Sequence, residues 1–213
     1  MELKGKKINF LGDSITEGHG ASSKDKCFVS LIGRNEELAE ARNYGIGGTR
    51  LAIQNGVENV RWDTNAFTQR FDKMDPDADA VVVFGGTNDF GHGNAPIGSF
   101  EDRDPETFYG ACHYLFAGLT RRYLGKPIVV ITPLHRLSEL QRRENGLMLI
   151  DYVNIIREVA EYYSLYVLDL FKISGIQPAI PAVKDAYMPD GLHPNDAGYE
   201  ILADKIATFL KSI

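Results

Sequence analysis

The stretch Ala80-Val81-Val82-Val83-Phe84, which runs directly into Gly85-Gly86-Thr87-Asn88-Asp89, decides the fold. Its first half is an uninterrupted apolar run rich in β-branched residues, which is typical of a strand covered on both faces. Strands of this kind occur in parallel sheets that carry helices on each side. The glycines and polar residues of the second half end the strand and place reactive side chains at its carboxyl end.

The rest of the chain alternates short apolar runs with segments of helical period. Apolar residues recur at spacings of four and three from Leu149 to Tyr163 and again from Tyr199 to Phe209. This alternation predicts right-handed crossovers, a three-layer α/β/α sandwich and, because no linker or repeat interrupts it, a single domain over residues 1–213. The further strand candidates are Lys7–Leu11, Asn43–Ile46, Ile128–Thr132 and Leu165–Leu168.

Composition and charge narrow the functional classes. The 213 residues have a net charge of −6, with 44% hydrophobic and 24% charged residues. These values are ordinary for a globular protein, and the acidic balance argues against a nucleic-acid partner. The two cysteines, Cys27 and Cys112, are expected to be reduced and partly buried thiols.

Targeting signals are missing from the sequence pattern. The first residues lack the apolar stretch of a signal peptide, and no segment is long and apolar enough to span a membrane. We therefore expect a cytoplasmic protein, although a chain trimmed of its leader would look the same. The sequence does not decide whether the chain forms a homo-oligomer.

Ligand sites of such sheets lie outside the carboxyl ends of the strands, and candidate residues occur in the loops there. Ser14 follows the first strand in Gly12-Asp13-Ser14, where its hydroxyl can project from the sheet edge or merely cap a helix. Asn88 follows the third strand, so its amide can donate into the same crevice or form a turn.

A further segment, Asp190-Gly191-Leu192-His193, precedes the last helix. The carboxylate of Asp190 can accept from one ring nitrogen of His193 and leave the other nitrogen free as a base. Together with Ser14 and Asn88 these residues supply a nucleophile, a base, an orienting carboxylate and an oxyanion donor. This is the set that a serine acyl hydrolase requires.

The same segments resemble the four sequence blocks of the GDSL/SGNH hydrolases: Gly12-Asp13-Ser14, Gly48, Gly86-Thr87-Asn88-Asp89 and Asp190-x-x-His193. The resemblance spans nearly the whole chain and implies a flavodoxin-like sheet of five parallel strands in the order 2-1-3-4-5. Ile15 replaces the usual leucine of the first block. No G-x-S-x-G elbow occurs, which separates the chain from ordinary α/β-hydrolases.

The resemblance also implies roles for single residues. Ser14 is the expected nucleophile and His193 its general base, with Asp190 as the partner of the imidazole. The N–H groups of Ser14 and Gly48 and the side-chain amide of Asn88 are the expected oxyanion donors. Because the imidazole must start neutral, activity should fall below about pH 6, near its unperturbed pKa of ~6.5.

The substrate is less well defined by the sequence. A small O-acyl ester is the leading prediction, with an O-acetylated carbohydrate as one candidate. Lysophospholipase or thioesterase activity on longer acyl chains, a non-catalytic binding module and a flavin-binding flavodoxin relative are the alternatives. No cofactor or metal is predicted, since His92 has no second His or Cys at ligand spacing.

Several side chains are candidate substrate contacts or structural residues. The residues in question are Asp13, Phe90, His92 and Tyr187, with Trp62 and Met188 as further candidate pocket walls. The segment 89–98 is interpreted as a long, flexible loop. The basic segment 133–145 is either an amphipathic flap that meets an anionic substrate or a solvated helix face or subunit contact.

Overall fold

The protein was analysed as a computed structural model, which describes residues 1–53, 65–92 and 95–213. Five parallel strands form one sheet in the order β2-β1-β3-β4-β5, as the resemblance implied. The strands are β1 (Lys7–Gly12), β2 (Glu40–Gly45), β3 (Ala80–Phe84), β4 (Ile128–Ile131) and β5 (Tyr166–Leu168).

Helices cover both faces of this sheet, so the predicted three-layer α/β/α sandwich is confirmed. In chain order they are α1 (Ser14–Glu17), α2 (Phe28–Asn35), α3 (Phe67–Arg70), α4 (Thr87–His92), α5 (Phe108–Arg122), α6 (Leu149–Tyr162), α7 (Leu170–Ile173), α8 (Pro181–Tyr187) and α9 (Asp196–Ser212). Short 3-10 turns lie at Lys24–Lys26 and Phe71–Lys73.

The apolar run of β3 lies at the centre of the molecule and divides its side chains between two cores. Val81 and Val83 join the core under α5 and α6, whereas Val82 and Phe84 join the core under α2 and α9. All four side chains are buried. Burying one such side chain stabilises a fold by about 1.5–3 kcal/mol, so this strand anchors the loop that follows it.

Strand β2 begins at Glu40, three residues earlier than the predicted start at Asn43, and ends at Gly45. It lies at the edge of the sheet and begins with polar residues, which the apolar pattern does not detect. Arg42 donates to Glu40 at 2.6 Å and to Asp77 at 2.6 Å, and Lys7 of β1 donates to Asp77 at 2.8 Å. We call these four side chains the edge cluster.

The two cysteine thiols are free and more deeply buried than expected. Cys27 lies in the core under α2 and α9, and Cys112 lies in the core under α5 and α6, so the sheet separates them. Over the described ranges, no helix combines the length and the apolar character needed to cross a membrane.

Candidate active site

Ser14 lies at the carboxyl end of β1 because the chain turns sharply there. Gly12 lets Thr16 approach, since a Cβ at Gly12 would lie 1.8 Å from the Thr16 hydroxyl oxygen. The Asp13 carboxylate then accepts from the Ile15 N–H at 3.0 Å and caps α1. This one-turn helix presents Ser14 at its first position, where the residue is 8% exposed.

The loop before α9 brings a histidine to this serine. The Ser14 Oγ and the His193 Nε2 are 3.0 Å apart, and the His193 Nδ1 lies 2.6 Å from an oxygen of Asp190. The other Asp190 oxygen accepts from the backbone N–H groups of Leu192 and His193 at 2.9 and 2.7 Å. The carboxylate therefore fixes the loop and the imidazole together.

Both titratable groups of this pair have perturbed pKa values. Burial lowers the pKa of His193, and the Asp190 carboxylate opposes this effect. Burial disfavours the ionised Asp190, but the hydrogen bonds from the His193 backbone and imidazole outweigh it and lower the pKa of this carboxyl. The geometry thus favours a neutral imidazole beside an ionised carboxylate at neutral pH.

Gly48, in the loop after β2, and Asn88, in the first turn of α4, lie at the same sheet edge. The backbone of Gly48 has a φ of +79°, in the left-handed region that favours glycine. The Asn88 amide is 7% exposed and donates to the Thr49 carbonyl at 3.0 Å, which leaves its second hydrogen for a ligand as far as the described residues go.

Asp89 of α4 connects this helix to the chain that follows Gly48. Its carboxylate accepts from the backbone N–H groups of Leu51 and Ala52, each at 3.0 Å. Because Asp89 follows Asn88 directly in α4, these bonds fix the glycine loop relative to the asparagine. Burial raises the pKa of Asp89 to about 6.

Two residues around the site were missed in the sequence. The ring of His19 lies against that of His193, with centroids 4.4 Å apart. Arg70 in α3 donates to the carbonyls of Gly12 and Tyr44 and, at 3.2 Å, to the Thr49 hydroxyl. Burial lowers the pKa of Arg70 to about 10. Neither residue belongs to a recognisable motif, since each acts through contacts distant in the chain.

Two of the candidate substrate contacts, Asp13 and Phe90, are buried. Asp13 is 2% exposed and caps α1 from below, and Phe90 is fully buried against Tyr152. Tyr187 ends α8 and packs against the core that contains the fully buried Met188. Trp62 lies outside the described residues.

The segment after Asn88 is a helix in its first part rather than a flexible loop. Residues 87–92 form α4 because Phe90 packs into the core and draws the turn inward. His92, at the end of this helix, has its pKa lowered by burial and by the guanidinium groups of Arg50, Arg136 and Arg143. Positive charge therefore collects beside the site.

The basic segment 133–145 forms turns and irregular chain, so it is not the solvated helix face considered in the sequence. Arg136 Nη1 donates to the carbonyl and hydroxyl oxygens of Thr87 at 3.1 and 3.2 Å. The Leu137 N–H donates to the Gly191 carbonyl at 3.0 Å. The segment therefore contacts both α4 and the loop that carries His193.

Comparison with known proteins shows the family. The model of the GDSL-like lipase/acylhydrolase family matches residues 10–201 of the chain. The chain belongs to this family. The match includes all four blocks quoted above, and it confirms the resemblance that they indicated.

Two solved structures share the fold of this GDSL-type protein. A structure from Lactobacillus plantarum is 31% identical and covers 99% of this chain and 98% of that chain, with a TM-score of 0.85. The lipase/acylhydrolase from Enterococcus faecalis is 24% identical, covers 97% and 96%, has a TM-score of 0.65 and supports the fold.

Among curated proteins, an acetylxylan esterase from Xylanibacter ruminicola is 24% identical over 96% of this chain. The chain spans 43% of the length of that relative. The match to the lipase/acylhydrolase family agrees with the prediction of a carboxylic ester hydrolase. Among the residues with described positions, no group of three His, Cys, Asp or Glu could hold a metal ion.

Proposed function

We propose that this GDSL-type hydrolase cleaves small O-acyl esters, with O-acetylated carbohydrates as the substrate class, through an acyl-serine intermediate. The observation that carries the proposal is the chain of contacts from Ser14 through His193 to Asp190, with distances of 3.0 and 2.6 Å. It lies beside the Asn88 amide at the same sheet edge.

The reaction follows from the protonation states of these groups. His193 Nε2 takes the proton of Ser14 as Oγ attacks the ester carbonyl, because the free hydroxyl is a weak nucleophile. Asp190 holds the proton on Nδ1 and stabilises the imidazolium that forms. The protonated His193 then gives its proton to the departing alcohol.

Negative charge on the carbonyl oxygen is met by hydrogen-bond donors. The N–H groups of Ser14 and Gly48 and the second hydrogen of the Asn88 amide are the proposed oxyanion donors. Water next attacks the acyl-serine, His193 again accepts the proton, and Ser14 is released with the carboxylic acid. None of these reaction steps requires a cofactor.

Polar surroundings support a small acyl group rather than a long one. The ring of His19 lies against His193 and the charge of Arg136 acts on His193, whereas the apolar side chain of Phe90 is fully buried. A long acyl chain needs an apolar channel. The acetylxylan esterase relative, named for acetyl groups on a polysaccharide, supports the carbohydrate class.

The test is hydrolysis of p-nitrophenyl esters from acetate to palmitate, together with acetate release from acetylated xylo-oligosaccharides. Ser14→Ala should abolish turnover, and Asn88→Ala should lower kcat by roughly 10²–10³-fold while leaving the protein folded. Wild-type activity should be greatest on acetate. An optimum at long chains would overturn the substrate class, and full activity in Ser14→Ala would overturn the nucleophile.

A further inference from the structure

Arg136 lies between the two sides of the candidate site. Its guanidinium is held to α4 by the two bonds to Thr87, and a Cβ at Gly91 would lie 3.0 Å from its Nη1. The next residue, Leu137, is bonded to Gly191 in the loop of Asp190 and His193. The arginine is thereby fixed to Thr87, the residue before Asn88, and its charge acts on His193.

A second guanidinium lies over the same ring. Arg136 is 5.5 Å and Arg143 is 4.2 Å from the centroid of Phe90, which is fully buried. The face of an aromatic ring attracts cations, so the Phe90 ring stabilises both guanidinium groups. We call Arg136 and Arg143 the arginine pair.

Within the described part of the chain, no carboxylate forms a close ion pair with the arginine pair. Neither guanidinium has a carboxylate oxygen within 4.0 Å there, although the chain as a whole has a net charge of −6. Burial lowers the pKa of Arg136, the charge of Arg143 acts in the same direction, and the charges of Asp13 and Asp190 oppose both without cancelling them. Two adjacent cations that repel each other are stabilised by an anion.

Arg142 provides a contrast within the same segment. Its side chain turns away and donates to the Gly146 carbonyl at 2.6 Å on an exposed surface. Of the three arginines in this segment, only Arg136 and Arg143 contact Phe90. The contact is therefore specific to these two residues and is not shared by the whole basic segment.

We propose that the arginine pair forms a subsite for a carboxylate group of the ester substrate. This inference rests on the proposed function and specifies its substrate further. Guanidinium groups bind carboxylates through paired N–H donors. The carboxylate belongs either to the alcohol part, as in an acetylated acidic sugar, or to the acyl part, as in a half-ester of a dicarboxylic acid.

The experiment compares matched charged and neutral esters at one pH and ionic strength. For the alcohol side, 4-acetoxybenzoate is compared with its methyl ester. For the acyl side, 4-nitrophenyl hydrogen succinate is compared with 4-nitrophenyl methyl succinate. The wild type should have a higher kcat/KM for the charged member of one pair, and the pair concerned identifies the source of the carboxylate.

Three variants test the residues. Arg136→Gln should lower kcat/KM for the preferred charged ester by about 10- to 100-fold and for its neutral partner by less than about threefold, as expected for loss of a charged hydrogen bond. Arg143 has no hydrogen bonds to Thr87 like those of Arg136. Arg143→Gln should likewise lower kcat/KM for the charged ester relative to its neutral partner. Arg142→Gln should leave both esters unchanged.

Two results would overturn the subsite. One is a wild type that prefers the neutral member of both pairs. The other is an equal loss on charged and neutral esters in both Arg136→Gln and Arg143→Gln, which would assign the pair to shaping α4. In either case Ser14-dependent hydrolysis of neutral esters would leave the proposed function standing, so the two failures are distinguishable.

Discussion

The imidazole of His193 is subject to opposing influences, which set its protonation near neutral pH. Burial lowers its pKa, Asp190 raises it, and His19 and Arg136 add smaller lowering effects. Since a general base must be unprotonated, the acid limb of kcat/KM should lie below the ordinary imidazole pKa of 6.5. His19 lowers this pKa by its charge, and its ring, which lies against that of His193, adds to the burial of the imidazole.

Replacement of His19 tests this covering role. In His19→Ala, solvent reaches His193, its pKa rises and the acid limb of kcat/KM moves to higher pH. In His19→Phe, the ring contact is kept and the limb should stay closer to that of the wild type. At pH 8 both variants should remain within about threefold of the wild type, since the imidazole is neutral there.

The measurement is a profile of kcat/KM from pH 4 to pH 9 on p-nitrophenyl acetate for all three proteins. A limb that does not move in His19→Ala would show that His19 has no influence on the imidazole. A large loss at pH 8 in His19→Phe would instead point to a contact between His19 and the substrate.

Among the secondary-structure elements, α3 has a role larger than its four residues suggest. Its last residue, Arg70, bonds to the ends of β1 and β2 and to the loop after β2. The helix therefore fixes the strand ends on which Ser14 and Gly48 depend. A hydrophobic core alone does not provide this alignment.

Substitution of Arg70 should affect stability and catalysis together. Arg70→Met keeps much of the buried volume but removes three hydrogen bonds, to the Gly12 and Tyr44 carbonyls and to the Thr49 hydroxyl. Their loss should cost about 3 kcal/mol of unfolding free energy. The kcat should fall more than the KM rises, because the oxyanion donors lose their alignment. Urea denaturation and steady-state kinetics measure the two effects. Arg34→Met, in α2, is the matched control, and an equal response of the two variants would contradict the role.

Elements with an apolar signature could be predicted from the sequence, and elements stabilised by charge could not. The bounds of β3 coincide with its apolar run, whereas β2 begins earlier because Glu40 and Arg42 are held by ion pairs. Helix α4 was missed because only its contact with the core shows that Phe90 points inward.

The candidate site divides in the same way. Ser14, Asn88, Asp190 and His193 were named because each segment follows a strand of a predicted parallel sheet or precedes the last helix. Their catalytic roles stay predictions until the variants are measured, as does the single domain over residues 1–213. The contacts of His19 and Arg70 join segments far apart in the chain, and no spacing in the sequence reports such contacts.

For the whole molecule, two buried acids make stability depend on pH. Burial raises the pKa of Asp13 to about 7 and that of Asp89 to about 6. An acid whose pKa is raised by folding stabilises the fold while it is protonated. This contribution is complete below the unfolded pKa of 3.8 and is lost as the pH rises through the folded pKa.

Asp13→Asn isolates one of these groups. The amide oxygen can still cap α1, but the variant has no proton to lose there. Relative to the wild type, its unfolding free energy should rise by about 1 kcal/mol per pH unit from pH 5 to pH 7 and then level off. Urea denaturation at pH 5, 6, 7 and 8 measures this difference. Asp25→Asn, at an exposed position, is the control, and a difference that does not change with pH would contradict the prediction.

The edge cluster on β2 has a consequence for behaviour in concentrated solution. An exposed strand edge offers unpaired backbone groups to other chains and so invites fibrillar aggregation. Here the β2 edge carries Glu40 and Arg42, and the opposite edge, β5, is only three residues long. Hydrogen bonds from Arg42 and Lys7 lower the pKa of Asp77, so the edge cluster stays charged in mildly acidic solution. Strand addition to this sheet is therefore opposed at both edges.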